Sequence, residues 1–258
     1  SSYPAGSFDN PPAFKEPTPT PSDIGQESAA DAIDGFDPEG KTPVVSDEFS
    51  DTYVGADDSK VSVVSPTPVN VQNDDGDWVP IQTELSTTGP MSWLGQGGAE
   101  VKLHPLEPEF AEHADDSPVL KMTNDGHSIG FALKNSAHSV LERDLAPWSG
   151  TKNHLEYKSV FNHVDLAYDV DETGVKELFR INEELDSDPS WTWVVDAPGM
   201  TATPDGQGGV TFLDAAGDAT FRVPAPIMWD SSDVDGKKAA ATGPVKLAVA
   251  KAGDAYEP

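Results

Sequence analysis

The sequence predicts an all-β protein: an antiparallel β-sandwich, either one large or two consecutive, behind an extended Pro-rich N-terminal leader. Three observations predict it. The 258 residues include 23 prolines and 22 glycines, which favour short elements joined by many turns. Several stretches alternate apolar and polar residues, most densely between 154 and 232. No segment sustains the helical period of about 3.6 residues.

Residues 1–45 are predicted to form an extended acidic leader. Their prolines stand among Ser, Thr, Asp and Glu, a composition that cannot bury enough apolar surface to offset the entropy of ordering the chain. One short helical turn is expected over 26–33. Aromatic residues spaced along the leader, such as Phe36, are expected either to dock into grooves of the following domain or to have no specific role.

A first β region is predicted over residues 46–146. Its turns are expected at residues 55–59, at a two-residue Asp75-Gly76 turn, and at Asn124-Asp125-Gly126. Residues 84–98 are expected to form a loop that Met91 and Trp93 anchor. The predicted strands are Thr52–Val54, Lys60–Val64, Thr67–Val71, Trp78–Thr83, Ala99–His104, Val119–Met122 and His127–Leu133.

A second β region is predicted over residues 147–236, with 237–258 as a linker or the start of the next segment. Residues 147–153 are expected to be a connector. Val164, Leu166, Tyr168 and Val170 alternate with Asp165, Ala167 and Asp169, the two-residue period of a strand with one buried face. A Thr173-Gly174 turn is expected to return Val175–Ile181 against that strand. The remaining expected elements are an acidic loop at 182–189, a strand Trp191–Val195, a turn at 203–209, a hairpin of Val210–Leu213 with Ala219–Val223, and a last strand over Val245–Ala250.

The strong acidic excess restricts the classes of molecule that this chain can bind. With 16 Lys plus Arg against 45 Asp plus Glu, the formal net charge is −29. Phosphate binding requires neutralisation by basic side chains, so the sequence predicts no nucleic acid partner and no anionic lipid surface. The absence of cysteine excludes a disulfide framework and a thiolate site but leaves the compartment open. No apolar run approaches the roughly 18 residues of a membrane span.

Catalytic motifs are missing from the sequence. It contains no GxSxG, GxxxxGK[ST], GxGxxG or HExxH pattern, so no catalytic residue, cofactor or metal is predicted. Its six histidines have no ligand spacing and are expected at the surface or in packing roles. A glycosidase pair such as Glu177 with Asp196 can be drawn from almost any acidic sequence and has no specificity.

Two acidic loops, Asn73–Asp77 and Asp230–Gly236, contain the oxygen ligands and the glycine that a calcium loop uses. Neither fits the EF-hand pattern Dx[DN]x[DN]Gx5E, because Ser231 stands where the first Asp should be and no Glu follows in place. Both are predicted to be ordinary turns.

Trp191 and Trp193 are the candidate binding residues. They lie two positions apart and are predicted to share one face of a strand. A paired aromatic platform can stack on sugar rings, so the two residues are candidate contacts for carbohydrate or for a protein partner. The alternative is that both belong to the hydrophobic core, where large aromatic side chains supply much of the buried area.

A series of motifs resembles the region that precedes the repeats in large secreted bacterial YD-repeat (RHS) proteins of the wall-associated polymorphic-toxin group. In that family the motifs typically read WVPVDTTL, Y.DVLPGVDL, G.KE and APxMWDSS. Here Phe161-Asn162-His163 replaces the usual Leu-Pro-Gly, and Gln82 stands where Asp is common. The matching stretches are Ser65-Pro-Thr-Pro-Val69, Asp77-Trp-Val-Pro-Ile-Gln-Thr-Glu-Leu85, Leu155–Tyr168, Gly174-Val-Lys-Glu177 and Phe221-Arg-Val-Pro-Ala-Pro-Ile-Met-Trp-Asp-Ser-Ser232.

The resemblance, over about residues 48–232, implies a noncatalytic β domain at the front of a longer secreted or cell-wall-associated polypeptide. Its partner would be the downstream YD-repeat shell of the same polypeptide, which it would pack on, plug or hold at the envelope, with a variable toxin beyond. Two alternatives stay open: a module that binds cell-wall polysaccharide through Trp191 and Trp193, and, with less support, a carboxylate-based glycoside hydrolase.

Overall fold

A computed structural model describes residues 36–55, 58–90, 96–143, 152–229 and 242–250. Most of the predicted leader, including the helical turn at 26–33, lies outside these residues, as do Met91, Trp93, residues 147–151 and the Asp230–Gly236 loop. Within the described ranges every regular element is a β-strand, which confirms the all-β prediction. The same ranges contain no helix with the length and apolar character needed to cross a bilayer.

The described residues form twenty strands, which pair only in antiparallel fashion. They are β1 Val45–Asp47, β2 Ser50–Val54, β3 Lys60–Val64, β4 Asn70–Gln72, β5 Trp78–Pro80, β6 Ser86–Thr87, β7 Ala99–Glu100, β8 Glu109–Phe110, β9 Leu120–Asn124, β10 His127–Leu133, β11 Leu141–Arg143, β12 His154–Phe161, β13 Val164–Asp171, β14 Gly174–Ile181, β15 Trp193–Asp196, β16 Thr201–Pro204, β17 Val210–Leu213, β18 Ala219–Val223, β19 Ile227–Trp229 and β20 Thr242–Pro244.

Two larger sheets dominate the architecture. One has six strands in the order β15-β10-β9-β8-β7-β6, and the other has four in the order β11-β12-β13-β14. Smaller sheets are β1-β2-β3, β16-β17-β18, β4-β5 and β19-β20. Strand β15 comes from the predicted second region and pairs with β10 of the first, so both regions contribute to one sheet.

One hydrophobic core joins the inner faces of these two sheets. The alternation along β13 is confirmed, because Val164, Leu166, Tyr168 and Val170 all point into the core and are at most 1% exposed. The four-stranded sheet also contributes Leu155, Tyr157 and Val160, and the opposite side contributes Ala99, Val101, Phe110, Val119, Leu120 and Leu133.

Tyr157 connects the two sheets at the centre of this core. Its ring is fully buried, and its hydroxyl donates a 2.6 Å hydrogen bond to the carbonyl oxygen of Ala111, just after β8. The ring meets Tyr168 edge to face at 6.5 Å, and Tyr168 contacts Phe110 at 5.2 Å. Such contacts add to the free energy of apolar burial, and the buried hydroxyl requires its partner.

The opposite face of β13 contains a buried carboxylate, Asp165, which is 5% exposed. It accepts hydrogen bonds from the Ser159 backbone N–H at 2.7 Å and from Asn182 Nδ2 at 3.0 Å, and Lys158 Nζ lies at 3.5 Å. Ser159 has a φ of 53° where the register of β12 and β13 shifts, so Asp165 holds a β-bulge in place. Burial raises the pKa of Asp165, but the three partners outweigh it and the net shift is downward.

Several hairpin loops use one shared device, an Asp or Asn side chain that accepts two backbone N–H groups. Asn73 Oδ1 accepts from the N–H groups of Asp75 and Asp77, at 3.0 and 2.9 Å. Asp205 and Asp214 bond in the same way to the amides two and four residues ahead. The predicted two-residue Asp75-Gly76 turn is therefore wrong, because Gln72 pairs with Trp78 across a five-residue loop.

Other strand predictions need correction. Only Ala99–Glu100 of the predicted Ala99–His104 strand pairs, because the chain then turns toward Pro105 and His104 bonds to other segments. The turn after β13 is Glu172-Thr173, since Asp171 pairs with Gly174. Residues 245–250 form no strand, and Thr242–Pro244 pairs in their place.

The predictions with the clearest alternation and turn signals are confirmed. Strands β3, β10, β17 and β18 have the predicted bounds. At the predicted Asn124-Asp125-Gly126 hairpin, Asn124 pairs with His127, and Asp125 and Gly126 both have positive φ, as a type I′ turn requires. Phe36 packs against Tyr53 at 5.6 Å, so this leader aromatic does dock on the folded part.

Replacing Tyr157 with Phe removes the hydroxyl but keeps the ring. We expect the free energy of unfolding to fall by about 1–2 kcal/mol, because the partly buried carbonyl of Ala111 loses its donor. Urea unfolding measures the change. Tyr53→Phe is the matched control, since the Tyr53 hydroxyl donates to no described residue and its removal should cost less than about 0.5 kcal/mol.

Asp165→Asn should destabilise the fold in a pH-dependent manner. The folded-state pKa of Asp165 lies below its unfolded value of about 3.9, so the carboxylate stabilises the fold above that pH. Its contribution is lost as pH falls through the folded pKa. We expect the variant to lose about 1–3 kcal/mol at pH 7 and the difference from wild type to shrink below pH ~4. A constant difference in urea unfolding from pH 7 to pH 3 would contradict this assignment.

Candidate functional site

The candidate site lies where two edge strands meet. β14 is the edge of the four-stranded sheet and β15 the edge of the six-stranded sheet. The ring centroids of Phe179 on β14 and Trp193 on β15 lie 6.1 Å apart. We call the group at this side of the sandwich the aromatic cluster. It consists of Phe131, Phe161, Phe179, Trp191 and Trp193.

The Trp191 ring stacks on two phenylalanine rings of the four-stranded sheet. Its ring lies 4.3 Å from Phe179 at an interplanar angle of 14°, and 6.5 Å from Phe161 at 23°. Trp193 meets Phe131 edge to face at 6.4 Å. Both tryptophans are half-buried and pack against the main core. Part of each side chain therefore belongs to the core, as one of the two predicted roles requires, and part stays accessible to solvent.

The strand predicted over Trp191–Val195 begins at Trp193, and Trp191 lies in the segment that leads into it. The two indoles nevertheless reach the same cluster. The acidic loop predicted at 182–189 precedes them and is exposed except at Leu185, which packs on the core. Leu185 and Trp191 both pack on the core, and Trp191 does so through Phe179 of β14.

Glu177 is the one charged residue at an inward position of β14. It occupies the alternation of Val175, Phe179 and Ile181, all of which contact the core. The Tyr168 hydroxyl, on the paired position of β13, donates to Glu177 Oε2 at 3.2 Å. In the sequence, Glu177 stands out only as one half of an unspecific acid pair and as the end of the Gly174-Val-Lys-Glu177 motif. The signal that identifies it is an acidic residue at an apolar position of an alternating strand.

The surroundings of Glu177 perturb its ionisation. Glu177 is exposed to solvent as a residue, but desolvation by the protein atoms beside its carboxyl group raises the pKa of Glu177 to about 7. Interactions with the side chains of Tyr168 and Trp193 act in the opposite direction and favour the carboxylate. The carboxyl group can thus exchange its proton with water near neutral pH.

The hypothetical glycosidase pair of Glu177 and Asp196 does not converge. Trp193 and Asp196 lie three residues apart on β15, so their side chains point to opposite faces of the sheet. Trp193 faces the core, on the side where Glu177 lies, and Asp196 therefore points away from it. Two carboxyl groups that share one cleft are required for that reaction.

Three of the histidines make contacts that stabilise the fold. His104 is fully buried, with Nε2 2.7 Å from the Asp171 carbonyl and Nδ1 accepting from the Leu106 N–H, so it carries its proton on Nε2. Burial lowers the pKa of His104. His113 and His138 stack at 3.9 Å and 13°. Since metal-binding lone pairs lie in the ring plane, two parallel rings cannot direct them at one ion.

A surface depression of about 390 Å³ is lined by Thr83, Asn153 and residues 170–173. Its polar groups serve the β13-β14 turn. Asp171 Oδ1 accepts from the N–H and the hydroxyl of Thr173, both at 2.8 Å, and Asn153 Nδ2 donates to the Val170 carbonyl. The described side chains bring no three His, Asp or Glu groups together in a metal-binding arrangement.

Comparisons with protein-family models, with curated proteins and with solved structures gave no match for this chain.

Glu177→Gln should raise stability at neutral pH. Because the folded-state pKa of about 7 lies above the unfolded value of about 4.3, this residue's favourable contribution is complete below pH ~4.3 and is lost as pH rises through 7. We expect the variant and wild type to melt alike near pH 4 and the variant to melt at a higher temperature at pH 7.5. NMR titration of the Glu177 carboxyl carbon gives the pKa directly. A midpoint near 4 would overturn the assignment.

Proposed function

We propose that this chain is a noncatalytic module that acts through contacts with another protein surface. The observation that supports this most is that its buried or core-facing ionisable groups bond to the protein's own backbone and side chains. His104, Asp165 and Tyr157 each bond to backbone or to a neighbouring side chain, and Glu177 bonds to Tyr168. These groups hold strands and turns in place, whereas an active site requires such groups to converge on open space.

The strand edges are the second support. β14 is eight residues long and pairs only with β13 among the described residues, and it carries Lys176, Glu177 and Arg180. Charges on an edge, and above all an inward-pointing charge such as Glu177, oppose unspecific pairing with other strands. A module whose strand edges carry such charges resists unspecific strand pairing and is suited to contacts with a specific protein partner.

The motif resemblance gives the proposal its setting: the N-terminal part of a secreted or wall-associated RHS-type protein, with the YD-repeat shell of the same polypeptide as partner. One conformation is consistent with this setting. His163 stands where the family pattern has the glycine of Leu-Pro-Gly, and it has a φ of 60°, a conformation that glycine favours. Phe161 pairs with Val164 across this two-residue turn.

Association with the YD-repeat shell encoded in the same reading frame tests the proposal. We expect the chain and the separately produced shell to co-elute from size exclusion at micromolar concentration. An unrelated protein of similar negative charge is the control, since it reports purely electrostatic attraction. Failure of the chain to co-elute at that concentration would count against the shell as partner.

A cell-wall polysaccharide is the second candidate partner, favoured by the half-exposed tryptophan pair beside a carboxyl group. Stacking on a sugar ring should shift tryptophan emission when peptidoglycan or teichoic-acid fragments are titrated in. The shift should disappear in Trp191→Phe and Trp193→Phe if these rings form the platform. Unchanged wild-type emission at saturating fragment concentrations would exclude this candidate.

A further inference from the structure

A strip of partly exposed apolar side chains follows the acidic loop at 182–189. It consists of Trp191, Trp193 and Val195, and we call it the tryptophan strip. Both tryptophans are half-buried, and Val195 is 38% exposed. Trp193 and Val195 lie two residues apart on β15 and so share one face of the strand. Exposed apolar residues are ordinary when single, whereas a group that includes two large rings indicates a contact surface.

The acidic loop is held close to Trp191 at both of its ends. At its start, the Asn182 N–H donates to the His163 carbonyl at 2.8 Å, in the two-residue turn that follows Phe161. At its end, the chain reaches Trp191, whose ring lies 6.5 Å from Phe161. Because both ends meet near Phe161, the loop folds back on itself. Its exposed side chains therefore lie close to the tryptophan strip.

The loop gives this surface a strong negative charge of its own. Glu183, Glu184, Asp186 and Asp188 are all exposed. The chain from 181 to 221 contains no Lys or Arg, so no base lies near these carboxylates in the sequence. Like charges that stand within about a Debye length of each other, roughly 8–10 Å, add to one local potential. That potential attracts a cation to the place where the tryptophan strip is exposed.

An aromatic surface beside carboxylates favours one kind of cation. A guanidinium group is planar, so it stacks on aromatic rings and pairs with a carboxylate through two parallel N–H donors. An ammonium group is a compact, strongly hydrated charge that has neither the plane nor the fork. A neutral sugar would contact the rings but leave the carboxylates unused. A second copy of this chain would bring its own acidic loop to the contact.

We propose that the tryptophan strip and the acidic loop bind a basic segment of a partner protein through its arginine side chains. The inference rests on the proposed function as a protein-contact module, and it names the contact surface and the chemistry of the partner. One arginine lies against the exposed parts of Trp191 and Trp193, and its neighbours pair with the loop carboxylates. Pairs of tryptophan and arginine residues are frequent where an interface gains most of its binding energy.

The test uses the full chain and three peptides with blocked termini, Gly-Xaa-Ser-Xaa-Gly-Xaa-Ser, in which Xaa is Arg, Lys or citrulline. NMR follows the indole N–H resonances of the two tryptophans, which Trp191→Phe and Trp193→Phe assign. We expect the arginine peptide to shift both resonances. The lysine peptide keeps the charge without the plane and should bind at least about threefold more weakly. The citrulline peptide keeps the plane without the charge and should bind at least about tenfold more weakly.

Neutralising the loop tests its part in the contact. The triple variant combines Glu184→Gln, Asp186→Asn and Asp188→Asn, and Glu183 is left in place because His163 lies 3.4 Å from it. We expect the arginine peptide to bind this variant at least about tenfold more weakly than wild type. Far-UV circular dichroism confirms that the variant folds.

A second triple variant separates the loop from the charge of the whole chain. It combines Asp74→Asn, Asp125→Asn and Glu142→Gln, which remove three exposed carboxylates elsewhere and so change the net charge by the same amount. We expect arginine binding to weaken by less than about twofold.

Three results would overturn the inference: no indole shift at millimolar arginine peptide, equal binding of the arginine peptide and either of the other two, or equal weakening by the two triple variants. An indole shift with an N-acetylglucosamine tetramer but not with the arginine peptide would assign the strip to polysaccharide instead. If the YD-repeat shell co-elutes with the loop variant as well as with wild type, the inference fails while the proposed function stands.

Discussion

The packing of Tyr157 and Tyr168 between the two larger sheets is the constraint on which the rest of the structure depends. Both rings are fully buried, and the Tyr157 hydroxyl reaches across to the Ala111 carbonyl at 2.6 Å. Tyr168 contacts Phe110 on one side and, through its hydroxyl, Glu177 on the other. Because strands from both halves of the chain meet at these rings, the sandwich closes around them, and the aromatic cluster at β14 and β15 is placed as a result.

The acidic composition has a structural use beyond solvation. Asp205 and Asp214 each accept two backbone N–H groups inside a hairpin loop, and these bonds lower the pKa of both carboxyl groups. Asp165 accepts one backbone N–H, that of Ser159 at a β-bulge, together with side-chain donors, and burial opposes the resulting fall of its pKa. Carboxylates that accept backbone amides favour their ionised form, so much of the turn structure is coupled to pH below about 4.

The sequence allowed prediction of those parts in which local signals coincide. β3, β10, β17 and β18 combine alternation with flanking Gly, Asn or Asp, and their bounds were predictable. Strands of two or three residues, such as β6 and β8, are too short to show a period.

The role of His104 was not predictable either, because its partner Asp171 lies 67 residues away. Trp191 and Trp193 were identified as a pair, but only the fold shows how much of each ring the core takes up.

Native-state hydrogen exchange tests the central claim, that the two larger sheets share one core and unfold together. If the tyrosine packing unites them, the slowest amides of β9 and of β13 should exchange with the same free energy of opening, equal to that of global unfolding. Two distinct opening free energies, with one sheet exchanging while the other stays protected, would contradict the account.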